Sequence, residues 1–329
     1  MSSLAPTMQA FFTERMLAQR RASANTIASY RDAFRIMLVF AQCRTGKAPS
    51  KLQLEDLDAT LIGAFLDHLE VERHNSVTTR NTRLAAVHSL FAYAALRHPE
   101  QAELIQRVLA IPNKRTDRQL VSFLTRAEID ALLAAPDRDT WIGRRDRVLL
   151  LVAVQTGLRV SELTALTCAD VELGTGAHVR CHGKGRKERI TPLTSQAVGQ
   201  LRAWLAERRG QPAEPLFPSR RGGALSRDAV ELLVTRHVRT AVPHCPSLAT
   251  KTVSPHVLRH SCAMQLLAAG VDTSVIALWL GHEGVETTQI YLHADLAIKE
   301  RALDRTAPAG TRAGRYRPPD ALLAFLESL

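Results

Sequence analysis

Six side chains of this 329-residue sequence are of types that could together cleave a phosphodiester. Tyr291 lies nine residues after His282 in the segment LGHEGVETTQIYLHAD. The pKa of a phenol is about 10, so Tyr291 can attack phosphorus only where cations favour its anion or a base takes its proton. Suitable cations and imidazoles occur in TGLRVSEL, HGKGRKER and SPHVLRH, as Arg159, Lys184, His256 and Arg259. The combination favours phosphoryl transfer with Tyr291 as the nucleophile.

Each of these residues also has a simpler interpretation when it is taken alone. Arg159 follows a glycine turn at the start of a predicted helix, where a guanidinium can grip a phosphate, but most arginines are merely solvated. His256 and Arg259 are three residues apart and would share one helix face, as a structural pair also would. His260 is expected to point elsewhere as a packing or capping residue. His282, beside two glycines, also fits a helix cap.

Metal and nucleotide chemistry are less favoured by the sequence. The segment HVRCH offers His178, Cys181 and His182, which are all zinc-ligand types, but strand alternation would split them across both faces of a sheet. No second ligand cluster follows at zinc-finger spacing, and paired carboxylates of a two-metal nuclease are missing. Lys184 belongs to no phosphate-binding loop pattern. We therefore predict a site with no metal and no cofactor, in which Lys184 donates a proton to the leaving oxygen.

The composition indicates an intracellular protein with an anionic partner. Lysine and arginine number 43 against 32 acidic residues, which gives a formal charge of +11 and favours a polyanion such as DNA, although charge alone also fits RNA or a membrane surface. The five cysteines are scattered without a C-x-x-C pair, so a disulfide framework is not expected. No signal pattern or apolar span of membrane length occurs, and we expect a cytoplasmic location.

The elements that must position the candidate site fall into two predicted domains. Helical periodicity in NTIASYRDAFRIMLVFAQC, LEDLDATLIGAFLDHLEVER and SVTTRNTRLAAVHSLFAYAALRH predicts an all-helical domain over residues 1–112. Arg80 and Arg83 lie near the start of the third helix, where they could bind DNA or belong to a solvated face. A polar, basic linker follows over residues 113–124.

The second domain, residues 125–307, is predicted to be mainly helical with a small β-hairpin. Thr125 and Glu128 have the spacing of a capping box, and DRVLLLVAVQTGLRVSELTAL predicts a buried helix, a glycine turn and another helix. AHVRCHGKGRKERITPLT alternates about a Gly-Lys-Gly turn, which predicts a hairpin with Lys184 at its tip. Residues 308–329 read as a basic tether followed by a short amphipathic helix, which could pack on this chain or on a neighbouring protomer.

The ordered motifs TGLRVSEL, HGKGRKER, SPHVLRH and LGHEGVETTQIY together resemble those of the tyrosine recombinase (phage integrase) family, and all six catalytic positions match. SANTIASYRDAFRIMLVFAQ is similar to the helical, SAM-like core-binding domain that precedes the catalytic domain in that family. The resemblance implies a two-domain clamp on DNA. It also implies that Arg159 and Arg259 hold the scissile phosphate, that Lys184 is the general acid, and that Tyr291 attacks.

Further roles follow from the same resemblance. His256 and His282 would assist proton transfer and phosphate binding, and Glu162 would support Arg159. The expected DNA contacts come from the two arginines of the first domain and from the hairpin: Arg80, Arg83, Arg186 and Lys187. The family forms a covalent 3′-phosphotyrosyl intermediate without metal or ATP. Its members act as tetramers on two double-stranded sites, in some cases with a partner recombinase, and a terminal helix often docks on the neighbouring protomer.

Two other functions fit part of the pattern. A type IB topoisomerase-like relaxing enzyme would share the nucleophile and the arginines, but the helical first domain and the terminal tether argue against it. A non-catalytic DNA-binding accessory protein on a recombinase scaffold would not need all six residues. The sequence leaves open whether the protein integrates, excises or transposes a mobile element, although its motifs look more like those of mobile-element recombinases than those of chromosome-dimer resolvers.

Overall fold

The computed structural model describes residues 3–116, 121–183, 188–281 and 288. The chain separates into two compact units, Met1–Arg118 and Gln119–Leu329, which we call unit 1 and unit 2. Five residues of the predicted site or its hairpin lie outside the described residues, and so does the predicted terminal helix: Lys184, Arg186, Lys187, His282 and Tyr291.

The regular secondary-structure elements described in unit 1 are all helices. Helix α1 (Leu4–Ala10) continues as a π-helical stretch, Phe11–Gln19, and the unit goes on with α2 (Ala24–Thr45), α3 (Ala59–Val71), α4 (Val77–Ala94) and α5 (Ala102–Leu109). The helices α2, α3 and α4 begin behind side-chain caps, because Ser23, Asp58 and Ser76 each accept a backbone N–H of the first turn. The helical character predicted for this part of the sequence is thus confirmed.

An aromatic cluster forms the centre of unit 1. Phe11 is fully buried and stacks on Tyr30 with ring centroids 6.3 Å apart. Phe34 and Tyr93 meet the same ring edge-on, at 5.9 and 5.7 Å. Because rings in such arrangements bury much apolar area in fixed geometry, this cluster holds the first segment of the chain against α2 and α4.

The segment that follows α5 is bound to the start of α4. The side-chain amide of Asn81 donates to the carbonyl of Lys114 at 2.8 Å, and the backbone N–H of Lys114 donates back to Asn81 Oδ1 at 3.1 Å. Arg80 donates from Nη1 to the carbonyl of Pro112 at 3.0 Å. Residues 112–114, predicted mostly as linker, are therefore part of unit 1 in the structure.

Unit 2 combines helices with one small sheet. Its helices are α6 (Arg126–Ala134), α7 (Trp141–Thr156), α8 (Val160–Ala165), α9 (Ser195–Arg208), α10 (Arg227–Ala241), α11 (Pro255–Ala268) and α12 (Thr273–Leu280). The predicted capping box is confirmed, since Thr125 and Glu128 each accept the other's backbone N–H. The core of this unit surrounds α7, whose residues 148–154 are all buried.

The sheet has three antiparallel strands, β1 (Val171–Glu172), β2 (His178–His182) and β3 (Glu188–Pro192), in the order β1-β2-β3. The predicted pairing of β2 with β3 is confirmed, with Cys181 opposite Arg189. Along β2, Val179 and Cys181 are buried whereas Arg180 and His182 are exposed. Cys181 and His182 thus lie on opposite faces, and among the described residues no group of three possible ligands could hold a metal ion.

A buried polar group links three parts of unit 2. Asp146 is fully buried and accepts Nε and Nη2 of Arg145, at 2.9 and 2.6 Å, while its other oxygen lies 2.8 Å from Nε2 of His237 on α10. Arg145 also donates to the carbonyl of Pro218 at 2.8 Å. The network is satisfied, as a buried charge requires.

No helix in the described part of the chain is both long and apolar enough to cross a membrane.

Candidate active site

Arg159 stands at the junction of α7 and α8. Helix α7 ends at Thr156, and Gly157 follows with φ +62°, in the left-handed region that glycine adopts without strain. The backbone N–H of Arg159 then donates to Oε2 of Glu162 at 2.8 Å, which closes the first turn of α8. A TGLR sequence therefore turns the chain sharply and leaves the Arg159 side chain at the mouth of a helix, as the sequence predicts.

The guanidinium of Arg159 is held at two points. Its Nη1 donates to Glu162 Oε1 at 2.9 Å, and its Nη2 donates to the backbone carbonyl of Gly281 at 3.0 Å. The side chain nevertheless keeps 36% of its surface exposed. Arg159 is thus oriented by the protein while part of it stays accessible to a ligand.

Arg259 is the second arginine of the predicted pair, and it is almost completely buried. Helix α11 begins with Pro255 behind the capping side chain of Ser254, and this start brings Arg259 one turn further along the helix. Its Nη1 donates to the carbonyl of Gly157 and its Nη2 to the carbonyl of Leu280, both at 2.7 Å. Arg259 is only 3% exposed, so solvent screens its positive charge weakly.

The two arginines meet at the end of α12. They bond the carbonyls of consecutive residues, Leu280 and Gly281, at the end of a helix, where carbonyls lack partners within the helix itself. The turn at Gly157 packs against the same place, because a Cβ added there would lie 2.5 Å from Leu280 Cδ2. The segment that leads to His282 is therefore tied to both arginines.

His256 shares this environment. Partial desolvation lowers the pKa of the His256 imidazole, and the positive charges of Arg259 and Arg159 lower it further. His260 is a packing residue, as the sequence predicts, but it does not point away from His256: its ring lies edge-on against that of His256, with centroids 4.2 Å apart. Residues four apart on a helix are neighbours, which accounts for the contact. A neutral His256 can accept a hydrogen bond or a proton.

Glu162 is the buried acid of the site, and it binds a residue that the sequence reasoning missed. Besides Arg159 it accepts two hydrogen bonds from Arg189 on β3, to Oε1 at 3.0 Å and to Oε2 at 2.7 Å. Burial acts to raise the pKa of Glu162, but the hydrogen bonds from Arg189 and Arg159 outweigh it, and the pKa lies below its usual value. The carboxylate is therefore ionised at neutral pH.

A signal for Arg189 existed in the alternation of the hairpin. Arg189 pairs with Cys181, and residues directly opposite each other in an antiparallel pair point to the same face. Since Cys181 is buried, with its thiol pKa raised by burial to about 11, Arg189 must face inward as well. In the sequence Arg189 is the last of four closely spaced cations, and only the face of the strand distinguishes it from the three that precede it.

The two predicted DNA contacts of unit 1 differ in exposure. Arg80 is 6% exposed and its hydrogen bonds hold residues 112–114, so the alternative of a solvated face does not apply to it. Arg83 is half-buried and donates from Nη1 to Asn75 Oδ1 at 2.7 Å. Desolvation and the nearby charge of Arg73 lower the pKa of Arg83. The contribution of either residue to DNA binding stays a prediction.

The paired arginines and the carboxylate that bonds one of them lie on helices of unit 2, and the all-helical unit 1 precedes them in the sequence. The chain matches the model of the phage integrase family over residues 122–297 and that of the phage integrase N-terminal SAM-like domain over residues 10–98. The chain therefore belongs to the phage integrase family, whose members cleave and rejoin DNA strands.

Relatives extend over most or all of the sequence. The protein y4rC of Sinorhizobium fredii (strain NBRC 101917 / NGR234), which carries the name integrase/recombinase, is 57% identical over 328 residues, covering 100% of this chain and 99% of the relative. Tyrosine recombinase XerD of Pseudomonas aeruginosa is 37% identical over 254 residues, covering 75% and 82% of the two chains.

Solved structures share the fold. XerH site-specific recombinase bound to a palindromic difH substrate, in a post-cleavage complex, superposes with a TM-score of 0.69 at 24% identity, over 88% of this chain and 82% of that one. The Tn1549 transposon integrase in complex with transposon right-end DNA gives 0.68 at 18% identity, over 92% and 99%. At these identities the likeness concerns the fold alone.

Proposed function

We propose that this protein is a site-specific recombinase that moves a mobile element by cutting and rejoining double-stranded DNA at the element's ends. The observation that supports the proposal most directly is the anchoring of Arg159 and Arg259 on the carbonyls of Gly281 and Leu280. Two cations thereby converge beside the residue that precedes His282, where an anionic phosphate would be stabilised.

In the proposed reaction the Tyr291 oxygen attacks the scissile phosphorus and forms a 3′-phosphotyrosyl ester. The bond from phosphorus to the 5′-oxygen breaks, and Lys184 gives that oxygen a proton, so that a free 5′-hydroxyl leaves. A 5′-hydroxyl of the second DNA duplex then attacks the ester, displaces Tyr291 and completes strand exchange. One phosphodiester is consumed and one is restored, so no external source of bond energy enters.

The described residues supply the charge that this scheme requires. Arg159 and Arg259 stabilise the extra negative charge of the five-coordinate phosphorus, where most catalysis of phosphoryl transfer lies. His256, whose pKa is lowered beside both arginines, is suited to bind a phosphate oxygen or to take part in proton transfer together with His282. Glu162 holds Arg159 in place.

The assignment to a mobile element is supported by the names of one relative and of one protein with the same fold. The Sinorhizobium protein is named an integrase/recombinase, and the Tn1549 protein is a transposon integrase bound to transposon DNA. A net charge of +11 fits a DNA partner. We propose further that four protomers assemble on two sites in the cytoplasm, in some cases with a partner recombinase, and that the helix predicted near Leu329 docks on a neighbouring protomer.

Covalent trapping tests the proposed chemistry. The wild type and a Tyr291→Phe variant are mixed with nicked duplexes drawn from the flanks of the gene, in the presence of EDTA, and are run on a denaturing gel. A protein-DNA band from the wild type alone is expected. DNA that is bound without any covalent band would contradict the proposal and favour an accessory DNA-binding protein, whereas relaxation of supercoiled DNA without strand exchange would favour a topoisomerase-like enzyme.

A further inference from the structure

Arg189 binds the same carboxylate as Arg159 but from a different element. Each oxygen of Glu162 accepts two hydrogen bonds: Oε1 from Nη1 of both arginines, and Oε2 from Nη2 of Arg189 and the backbone N–H of Arg159. The two side chains differ in access to solvent. That of Arg189 is 12% exposed, whereas that of Arg159 is 36% exposed.

The geometry requires an arginine at this position. Arg189 offers two parallel N–H groups to the two carboxylate oxygens, a fork that a lysine ammonium cannot reproduce. Its guanidinium also reaches the turn after α12, because a Cβ added to Gly281 would lie 2.6 Å from Arg189 Nη1. Arg189 therefore lies between Glu162 and the residue whose carbonyl Arg159 binds.

The charges of this group explain what such an arrangement can do. If Glu162 had Arg159 as its only charged partner, the pair would be neutral. The carboxylate would then largely cancel the electrostatic attraction of Arg159 for a phosphate. With Arg189 present, two guanidinium groups share one carboxylate, so the group carries one net positive charge, and Arg159 is the arginine that is more exposed to a ligand. A poorly solvated carboxylate would otherwise attract Arg159 strongly, because screening there is weak.

We propose that Arg189 is a positioning residue of the recombinase: it neutralises and fixes Glu162 so that Arg159 keeps its orientation and its charge for the scissile phosphate. The inference rests on the proposed function for the identity of the phosphate. It assigns to β3 a role that differs from direct contact with DNA, which is the role expected of Arg186 and Lys187.

The test compares rates of covalent DNA capture. Arg189→Gln should slow capture on the order of tenfold to a hundredfold, less than the loss of a group that touches the transition state directly, while binding of the duplex at fixed salt changes by no more than roughly threefold. Arg189→Lys should regain only part of the rate. Arg126→Gln, which removes an exposed ion pair with Asp130, is the matched control and should capture DNA like the wild type.

A double variant separates charge balance from mere structural support. In Arg189→Gln/Glu162→Gln the carboxylate is gone, so Arg159 is again uncompensated, and the double variant should capture DNA faster than Arg189→Gln alone. If the two single substitutions slow capture by factors that simply multiply in the double variant, the proposal is overturned. Equal capture by Arg189→Gln and the wild type would overturn it as well, while leaving the proposed function intact.

A second measurement does not depend on DNA cleavage. In a crystal structure of Arg189→Gln, the Arg159 guanidinium should leave the Gly281 carbonyl and turn fully onto Glu162. An Arg159 that keeps both of its hydrogen bonds would refute the inference, whatever the DNA assay gives. If the wild type forms no covalent complex, the proposed function fails, and this structure still decides the role of Arg189.

Discussion

The guanidinium of Arg259 donates a 2.7 Å hydrogen bond to the backbone carbonyl of Leu280, the last residue of α12, which lies 21 positions further along the chain. The same side chain bonds Gly157 in the turn before α8. A residue predicted to hold phosphate thus also bonds two backbone carbonyls, one in the turn before α8 and one at the end of α12. Substitution of this arginine should therefore affect folding as well as the proposed chemistry, and experiments have to separate the two.

The first prediction concerns that double role. Arg259→Lys can satisfy at most one of the two buried carbonyls well, so the free energy of unfolding of unit 2 should fall by about 1–3 kcal/mol. Urea unfolding followed by tryptophan fluorescence reports on unit 2, because Trp141, Trp204 and Trp279 all lie in it. The control is Arg236→Lys at an exposed position of α10, and equal stability of both variants would contradict the prediction.

The second prediction concerns Gly281, whose φ of +64° lies in the left-handed region. Gly281→Ala should be destabilised both by that backbone conformation, which costs about 1–2 kcal/mol for a residue with a Cβ, and by the contact with Arg189 Nη1 at 2.6 Å. Gly270→Ala is a matched control, since Gly270 follows α11 with φ +83° and a Cβ there would meet nothing within 4 Å. Urea unfolding should show the larger loss for Gly281→Ala, and the reverse order would refute the steric argument.

The third prediction concerns pH. The pKa of His256 is lowered in the folded state, so the folded protein binds fewer protons than the unfolded chain once the pH falls below the unfolded value of about 6.5. Stability should therefore decrease as the pH falls through this range, and His256→Gln should lose less stability than the wild type. Urea unfolding at about pH 5 and about pH 7.5 measures the difference. A parallel decrease in both proteins would contradict the prediction.

The fourth prediction separates the two arginines of α4. Arg80→Met removes the hydrogen bond to Pro112 and should destabilise unit 1 by about 1–3 kcal/mol, as measured by thermal unfolding followed by circular dichroism. Arg83→Gln should mainly weaken DNA binding. It should also reduce the magnitude of the slope of log affinity against log salt by about 1, the amount expected for one lost phosphate contact. An Arg80 variant that is stable but binds DNA poorly would show that Arg80 leaves its buried position in the complex.

Helix positions followed from sequence because apolar periodicity and capping residues act locally. Thr125 and Glu128 form the predicted capping box, and the glycine turn before Arg159 is where the pattern indicates. The contact between Arg159 and Glu162, which the family resemblance implies, measures 2.9 Å in the structure. These interactions depend on a few consecutive residues, and tertiary packing did not override them.

Contacts between distant segments were harder to predict. That Arg189 shares Glu162 depends on which face of β3 turns inward, and the register decides it. The burial of Arg80 depends on the path of residues 112–114, whose polar composition favours a free linker. The error at His260 was different in kind, because the i, i+4 geometry of a helix already places its ring beside His256.

The reciprocal hydrogen bonds between Asn81 and Lys114 determine where this recombinase could be joined to parts of another one. A graft that takes the helical unit only as far as residue 110 would discard the carbonyls that Arg80 and Asn81 bond. A graft that extends through Lys114 keeps both carbonyls, that of Pro112 and that of Lys114, with the α4 side chains that bond them. Chimeras that exchange the helical unit should therefore keep the chain through Lys114 together with α4.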